Sequence, residues 1–255
     1  MLDFNTIYCI DCIKGLQQID NESVDLIFAD PPFNLGKKYG NYNDERDDYY
    51  EWCHDWIGCC RKVLKSTGSI YIMNVQQNIW MIQKSLEDHG FLFRNIIIWK
   101  NSSMPVKNRF CINYQPILFY TKTKNYTFHY DAEKHISNAV LPWGRKNKGF
   151  RMIDQWNDIP FVPGGCMASK EAILKKDSKA KAHPCQMPIR LIERILKFSS
   201  NENDIVIDPF IGSGTTAVAC KKLKRRFIGF EINPEYVDIA KKRLSDYSTI
   251  DKWIS

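Results

Sequence analysis

The chain has 255 residues and a net charge of +7 at pH 7, from 36 Lys and Arg against 29 Asp and Glu. This length accommodates one α/β domain with a sizeable core, and the mild basic balance suits a polyanionic partner without requiring one. No run of about 18 apolar residues is present, so the sequence predicts no membrane span. The N-terminus lacks the basic and apolar regions of a signal peptide, and the nine cysteines are an odd number. We therefore expect a cytoplasmic protein with reduced thiols.

The predicted elements alternate between strand and helix. In the first half we predict strands at 6–10, 24–29, 68–73, 91–99 and 116–120, helices at 12–19, 49–64 and 79–89, and a polar loop at 36–48. In the second half we predict strands at 204–208 and 226–231 and helices at 187–199, 218–223 and 234–244, the last with Asn233 as its N-cap. This alternation predicts a mostly parallel sheet with helices on both faces.

The strand at 24–29 ends in Asp30-Pro31-Pro32-Phe33. A carboxylate at the carboxyl end of a strand lies where open α/β sheets bind ligands. Two prolines fix successive φ angles and remove two N–H donors, which leaves a stiff loop rich in acceptors. With an aromatic ring beside it, this loop suits a planar group that carries an NH2, such as a nucleobase. The alternative is a helix-capping Asp followed by prolines that only end the strand.

A second apolar strand ends at Asp208 and runs into Pro209-Phe210 and the glycine turn Gly212-Ser213-Gly214. A strand, a glycine turn and a helix N-terminus form a nucleotide or nucleoside site. The strand at 226–231 ends at Glu231, nineteen residues after Gly212. This is the offset at which a carboxylate binds ribose hydroxyls in dinucleotide folds.

The glycine turn leaves several functions open. Gly212-x-Gly214-x-x-Ala217 formally satisfies the dinucleotide fingerprint, so an NAD-binding protein is one alternative, and a turn that only packs a helix on the sheet is another. A P-loop is excluded because no Gly-Lys-Ser/Thr follows at the required spacing. The second acid-ended strand at Asp30, and the stretch Asp208-Pro209-Phe210 just before the glycines, favour S-adenosylmethionine over NAD.

These motifs resemble the β-class amino-methyltransferases of DNA, most of all the adenine-N6 enzymes of restriction–modification systems. In that family an Asp-Pro-Pro-Tyr/Phe motif comes first, a target-recognition region follows, and a Phe-x-Gly-x-Gly motif comes last, as Phe210 to Gly214 does here. The family's His-Pro-Thr-Gln-Lys-Pro element appears as residues 183–188, with Cys for Thr and Met for Lys. The resemblance covers residues 1–245 and implies a Rossmann-like methyltransferase fold with a circularly permuted motif order.

The resemblance also implies the site residues. The catalytic set is Asp30, Pro31, Pro32 and Phe33. The cofactor set for S-adenosylmethionine is Asp11, Asp30, His183, Gln186, Asp208, Phe210, Gly212, Ser213, Gly214, Thr215, Thr216 and Glu231. Asp11 has the alternative role of N-cap for the helix that follows it. The implied reaction is direct methyl transfer to a flipped adenine N6, with cytosine N4 as the alternative target.

The strand–helix alternation fails in residues 121–182, and residues 133–182 hold ten Lys and Arg against five Asp and Glu. Basic residues supply sequence-independent affinity for phosphates, so we predict a DNA-recognition insertion here within a catalytic domain formed by 1–120 and 183–255. A solvated loop region is the alternative. The residues expected to contact DNA are Lys37, Lys38, Arg145, Lys146 and Lys148.

The expected partner is double-stranded DNA, and the resemblance raises a homodimer and a cognate restriction endonuclease as further partners. We expect no metal site. Cys9-x-x-Cys12 resembles half of a zinc site, but no second Cys or His pair has ligand spacing.

Overall fold

The computed structural model describes residues 2–39, 42–100, 107–108, 110–135, 150–162, 171–173 and 186–250. These residues form one eight-stranded sheet and two short ribbons. The sheet contains β1 (Thr6–Cys9), β2 (Val24–Ala29), β5 (Leu64–Met73), β6 (Leu92–Lys100), β7 (Tyr114–Thr121), β10 (Gln155–Trp156), β11 (Ile205–Asp208) and β12 (Arg226–Glu231). The ribbons pair β3 (Lys38–Tyr39) with β4 (Tyr42–Asn43) and β8 (Lys134–His135) with β9 (Phe150–Arg151).

Six helices cover the two faces of this sheet. They are α1 (Cys12–Leu16), α2 (Tyr49–Val63), α3 (Ile79–Asp88), α4 (Ile189–Ser199), α5 (Thr215–Lys222) and α6 (Pro234–Ile250). Side chains of α1, α2 and α3 share one apolar cluster, and side chains of α4, α5 and α6 share another. Strand β2 supplies both clusters in turn: Leu26 and Phe28 face one, Ile27 and Ala29 the other. Burial of these apolar faces, at roughly 25 cal/mol per Å², is the main force that holds the layers together.

The strand order is β1-β12-β11-β2-β5-β7-β6-β10. All neighbours are parallel except β7, which is antiparallel to both β5 and β6. The predicted fold class, a mostly parallel sheet with helices on both faces, is confirmed. The strand that leads to Asp30 and the strand that ends in Asp208 are far apart in sequence but adjacent in the sheet.

The structure differs from the sequence prediction at several elements. The stretch 36–48, predicted as a loop, contains the β3–β4 hairpin. Helix α5 begins at Thr215 rather than at 218, and α6 continues to Ile250. Within 121–182, β10 joins the main sheet beside β6, and buried Trp156 belongs to the core. The division into a catalytic domain and a 121–182 insertion stays a prediction.

Among the described residues, no helix is long and apolar enough to cross a membrane. Across those same ranges, no three or more His, Cys, Asp or Glu side chains are grouped so that they could hold a metal ion.

Candidate active site

Four acidic residues line one edge of the sheet because four adjacent parallel strands end there. The order β1-β12-β11-β2 brings Asp11, Glu231, Asp208 and Asp30 to the same edge in that sequence. All four line a single cleft, together with Pro31, Pro32 and Phe33 from the loop after β2. The sheet topology therefore unites the two acid-ended motifs that lie some 180 residues apart in the chain.

Asp30 is the least satisfied of these acids. Its Oδ1 is shielded from solvent and, among the described residues, accepts no hydrogen bond. Burial, and to a lesser extent the nearby Asp208 carboxylate, raise the pKa of Asp30 to about 8, against the opposing positive charge of Lys37. A buried carboxylate without a partner is costly, and such groups concentrate at functional sites.

Asp208, by contrast, uses both of its oxygens. Oδ1 accepts the backbone N–H of Phe210 at 3.0 Å, and Oδ2 accepts the hydroxyl of Thr216 at 2.5 Å. Burial raises the pKa of Asp208 to about 7, against the lowering effect of these two hydrogen bonds. Asp208 thus ties the end of β11 to the first turn of α5 and fixes the glycine turn between them.

The glycine turn needs its glycines for conformation and for space. Gly212 and Gly214 have φ values of +49° and +79°, a region that L side chains adopt rarely. A Cβ at Gly214 would lie 2.9 Å from the Cβ of Ala240 on α6. The turn therefore keeps its backbone close to the cleft and lets α6 pack beneath it.

Glu231 accepts two backbone N–H groups, from Gly212 at 3.1 Å and from Asn233 at 2.8 Å. Burial raises its pKa, and these amides partly offset the shift. The carboxylate lies beside the glycine turn, where the dinucleotide-like offset predicted it.

Asp11 has the N-cap role and also lies at the cleft, and its assignment to the cofactor stays a prediction. Its Oδ1 accepts the N–H groups of Ile13 and Lys14, so it is the N-cap of α1, and it also lines the cleft. Gln186 is elsewhere: its side-chain amide bonds the backbone of Glu171 and Ile173, and it is not part of the described cleft lining. Its assignment to the cofactor stays a prediction.

Several predicted residues have little or no description. His183, Arg145, Lys146 and Lys148 lie outside the described residues. Lys37 is exposed, and its backbone N–H donates to Asp44; the backbone of Lys38 lies in β3. The assignments of these residues stay predictions.

The cleft also contains residues that the sequence analysis did not single out, notably Arg46, Trp52 and Tyr236. Trp52 packs against Phe210 with ring centroids 5.6 Å apart, and the Arg46 guanidinium lies 5.2 Å from the Trp52 ring centroid. Trp52 is on α2, whose helical spacing predicted only core packing. No sequence motif marks these residues, because only the tertiary fold brings α2 to the cleft.

The donor set of the cleft fits S-adenosylmethionine better than NAD. Burial raises the pKa values of Asp30, Asp208 and Glu231, and a neighbouring carboxylate adds to the shifts of Asp30 and Asp208. A sulfonium cation relieves the repulsion between these carboxylates, whereas a dianionic pyrophosphate would add to it. Glu231 and Asp11 provide acceptors for hydroxyl and amino groups, and Phe210 and Trp52 provide apolar surface.

Comparison with known proteins identifies a family of DNA methylases to which this sequence is similar. The N6/N4 DNA methylase family model matches residues 24–242. Type II methyltransferase M.HinfI of Haemophilus influenzae is 36% identical over 95% of this chain and 68% of its own length. Type II methyltransferase M1.MboII of Moraxella bovis is 35% identical over 94% of this chain and 96% of its own.

Two solved structures are also similar. The M1.HpyAVI–SAM complex has a TM-score of 0.63 at 28% identity, covering 94% of this chain and 98% of the other. PvuII DNA methyltransferase, which is cytosine-N4-specific, has a TM-score of 0.70 at 22% identity, covering 95% and 90%, and supports the fold alone. The chain belongs to the N6/N4 DNA methylase family and is an S-adenosylmethionine-dependent DNA methyltransferase of the β class, of the restriction–modification type.

Proposed function

We propose that the enzyme methylates the N6 amino group of adenine in duplex DNA. The observation that carries this proposal is the buried Oδ1 of Asp30, which has no hydrogen-bond partner among the described residues and belongs to a residue that lines the same cleft as Phe33. An exocyclic NH2 is a donor of the right kind for this oxygen, and a purine ring is a planar surface that Phe33 can stack on.

The target base leaves the duplex before it reacts. N6 of a stacked and paired adenine cannot reach a carboxylate recessed in a cleft, so the nucleotide rotates out of the helix into the site. The cost is a few kcal/mol of unstacking and unpairing. Phe33 offsets part of that cost by stacking on the flipped ring.

Asp30 and the backbone carbonyl of Pro31 accept the two amino hydrogens, which orients the nitrogen lone pair. S-adenosylmethionine, when bound, supplies a methyl group on a sulfonium sulfur. That methyl group would be attacked in line by the amine nitrogen, with the C–S electron pair left on sulfur. The proton that the amine then loses passes to the ionised carboxylate of Asp30. Positioning and electrostatic stabilisation supply the rate enhancement.

The cofactor is held along the row of acids. Glu231 binds the ribose hydroxyls, and Asp11 lies near the adenine. Phe210 and the glycine turn shape the pocket for the adenosyl and methionine portions, with Asp208 as their support. The remaining contacts come from His183, Gln186, Ser213, Thr215 and Thr216.

DNA binds across the carboxyl edge of the sheet and the 121–182 insertion, through Lys37, Lys38, Arg145, Lys146 and Lys148. Binding should weaken steeply with salt, because each neutralised phosphate releases counterions. Arg145→Glu with Lys146→Glu should weaken binding further. Lys224→Glu is the matched control, since Lys224 is an exposed lysine directly before β12, at the opposite edge of the sheet. Salt-insensitive binding would refute this assignment.

Cytosine N4 is the second candidate, because it is also an exocyclic amine that the same displacement reaches. The likeness to PvuII methyltransferase means that the fold does not discriminate between the two. Asp30 favours adenine, since family members tend to have Asp-Pro-Pro for adenine and Ser-Pro-Pro for cytosine N4. Digestion of methylated plasmid to nucleosides, with Asp30→Ala protein as the blank, decides between N6-methyladenine and N4-methylcytosine.

A homodimer, a cognate restriction endonuclease and a cytoplasmic location complete the proposal. Sedimentation of the purified chain, with and without a DNA duplex, tests the homodimer. The endonuclease is tested by asking whether methylated DNA resists an extract of the source cells that cuts unmethylated DNA.

A further inference from the structure

A network of three buried side chains, one from α2 and two from the segment between β5 and α3, holds the loop after β2. The hydroxyl of Tyr49, the first residue of α2, donates to the carbonyl of Pro32 at 2.7 Å. The side-chain amide of Asn78 donates to the carbonyl of Phe33 at 2.7 Å. Asn74, which follows β5, joins the two: its Nδ2 donates to the Tyr49 hydroxyl at 2.9 Å, and its Oδ1 accepts from Asn78 at 3.2 Å.

This network supplies what the loop itself lacks. Pro31 and Pro32 have no N–H groups, so the loop cannot fix itself with backbone donors at these positions. Donors from outside instead bind the carbonyls of Pro32 and Phe33. Among the described residues, no hydrogen bond reaches the Pro31 carbonyl, so it stays available as an acceptor beside Asp30.

The three side chains are deeply buried and mutually satisfied. Tyr49, Asn74 and Asn78 are 3%, 0% and 7% exposed. Burying an amide costs free energy unless it is hydrogen-bonded, and a fully satisfied buried network is rigid. Asn78 is at the N-cap position of α3, where Asn commonly bonds the helix amides, yet its side chain makes no capping bond. Its amide is directed to the loop instead.

We propose that Tyr49, Asn74 and Asn78 are positioning residues for methyl transfer, which hold the Pro31 carbonyl and the Asp30 carboxylate in the geometry that orients the target amine. The inference rests on the proposed function for its catalytic consequence. We expect the network to affect the reaction step and not the affinity for the cofactor, because none of the three side chains lines the cofactor cleft.

Tyr49→Phe tests the proposal, because it removes one hydroxyl and keeps the ring. Tyr50→Phe is the matched control: Tyr50 is the next residue on α2, and its hydroxyl donates to the surface carboxylate of Asp88 at 3.5 Å. We expect kcat to fall about 10- to 100-fold in Tyr49→Phe, with KM for DNA and Kd for S-adenosylhomocysteine within about twofold of wild type. Equal kcat in the two variants would overturn the proposal, as would a loss that appears only in Kd.

Asn78→Ser provides a second route, since Ser keeps a good N-cap residue but cannot donate to Phe33 as the amide does. The matched control is Asn95→Ser, at an exposed residue of β6 whose amide donates to Asp154 at 3.3 Å. Because Tyr49 and Asn78 act through one loop, the double variant should lose less than the product of the two single losses. Fully multiplicative losses would refute a shared network.

Hydrogen exchange of the peptide that contains the Phe33 and Asn34 amides gives a readout that needs no activity. Exchange there should rise about tenfold in Tyr49→Phe and stay at the wild-type rate in Tyr50→Phe. If wild-type protein transfers no methyl group to DNA, the proposed function fails, and this comparison still decides whether the network holds the loop. Unchanged exchange in Tyr49→Phe would overturn the inference whatever the activity.

Discussion

The adjacent strands β2 and β11 both lead into an Asp-Pro sequence at the same edge of the sheet. The two carboxylates nevertheless differ in their hydrogen bonding. After Asp208-Pro209 comes Phe210, whose N–H closes a turn onto the Asp208 carboxylate. After Asp30-Pro31 comes Pro32, which has no N–H to offer. Asp208 is therefore satisfied by its own loop and supports the glycine turn, whereas Asp30 is left for the substrate. The difference between the two acids therefore depends on one residue, which is Pro32 after Asp30-Pro31 and Phe210 after Asp208-Pro209.

The largest expected difference between the two strands is the effect of deleting each acid. Asp30→Ala should reduce methyl transfer at least about 10²-fold and leave cofactor affinity nearly intact, because Asp30 acts mainly on the transition state. Asp208→Ala should instead weaken cofactor binding and lower Tm, because it releases Phe210 and Thr216. Single-turnover methylation, calorimetry with S-adenosylhomocysteine and thermal melts measure the three quantities. More than a few per cent activity in Asp30→Ala would remove it from its role.

Much of the fold and of the two acid-ended motifs could be predicted from the sequence, and the features that could not be predicted were missed for physical reasons. The apolar runs of β2 and β12 have the predicted bounds because each run ends abruptly at an acid. The pairing of β10 with β6 was not predicted, since a two-residue strand carries no periodic signal and depends on a distant partner. Arg46, Trp52 and the Tyr49–Asn74–Asn78 network were missed for the same reason. Helical spacing places Tyr49 and Trp52 in a helix without showing their partners, no sequence motif marks the others, and only the fold shows what these residues contact.

The second prediction concerns Pro32→Ala, which adds a backbone N–H that could bond the Asp30 carboxylate. In Pro32→Ala the loop gains an N–H at the position that Phe210 occupies after Asp208. If that N–H bonds the Asp30 carboxylate, kcat should fall about tenfold, since the acceptor is already engaged. Pro209→Ala is the control, because its added N–H is not at the turn-closing position. Equal effects of the two substitutions would show that the second proline acts only through stiffness.

The third prediction is a shift in pH dependence. With its pKa raised to about 8, Asp30 is protonated in the ligand-free enzyme below that pH and is then a poorer acceptor. The kcat/KM for S-adenosylmethionine should therefore rise with pH up to about 8. Asp208 contributes to raising the pKa of Asp30, so Asp208→Asn should move the rise to lower pH by roughly one unit. A profile that stays in place would mean that the two acids titrate independently.

The smallest expected effect is on the stability of the fold. Asp30, which lacks a hydrogen-bond partner at Oδ1, should destabilise the fold when it ionises, whereas Asp208, whose oxygens accept hydrogen bonds, should do so less. The folded-state pKa of Asp30, about 8, lies above its ordinary value of 3.8, so the folded protein binds this proton more tightly than the unfolded chain does. The free energy of unfolding should thus fall as pH rises from about 4 to about 8.

Asp30→Asn removes that loss and should raise Tm by a few degrees at pH 8.5, with the difference vanishing near pH 4. Asp208→Asn should gain less, because the amide replaces an oxygen that accepts from Phe210 or Thr216. Scanning fluorimetry of both variants across this pH range measures the contrast. A lower Tm for Asp30→Asn than for wild type at pH 8.5 would show that Asp30 has a partner in the folded protein.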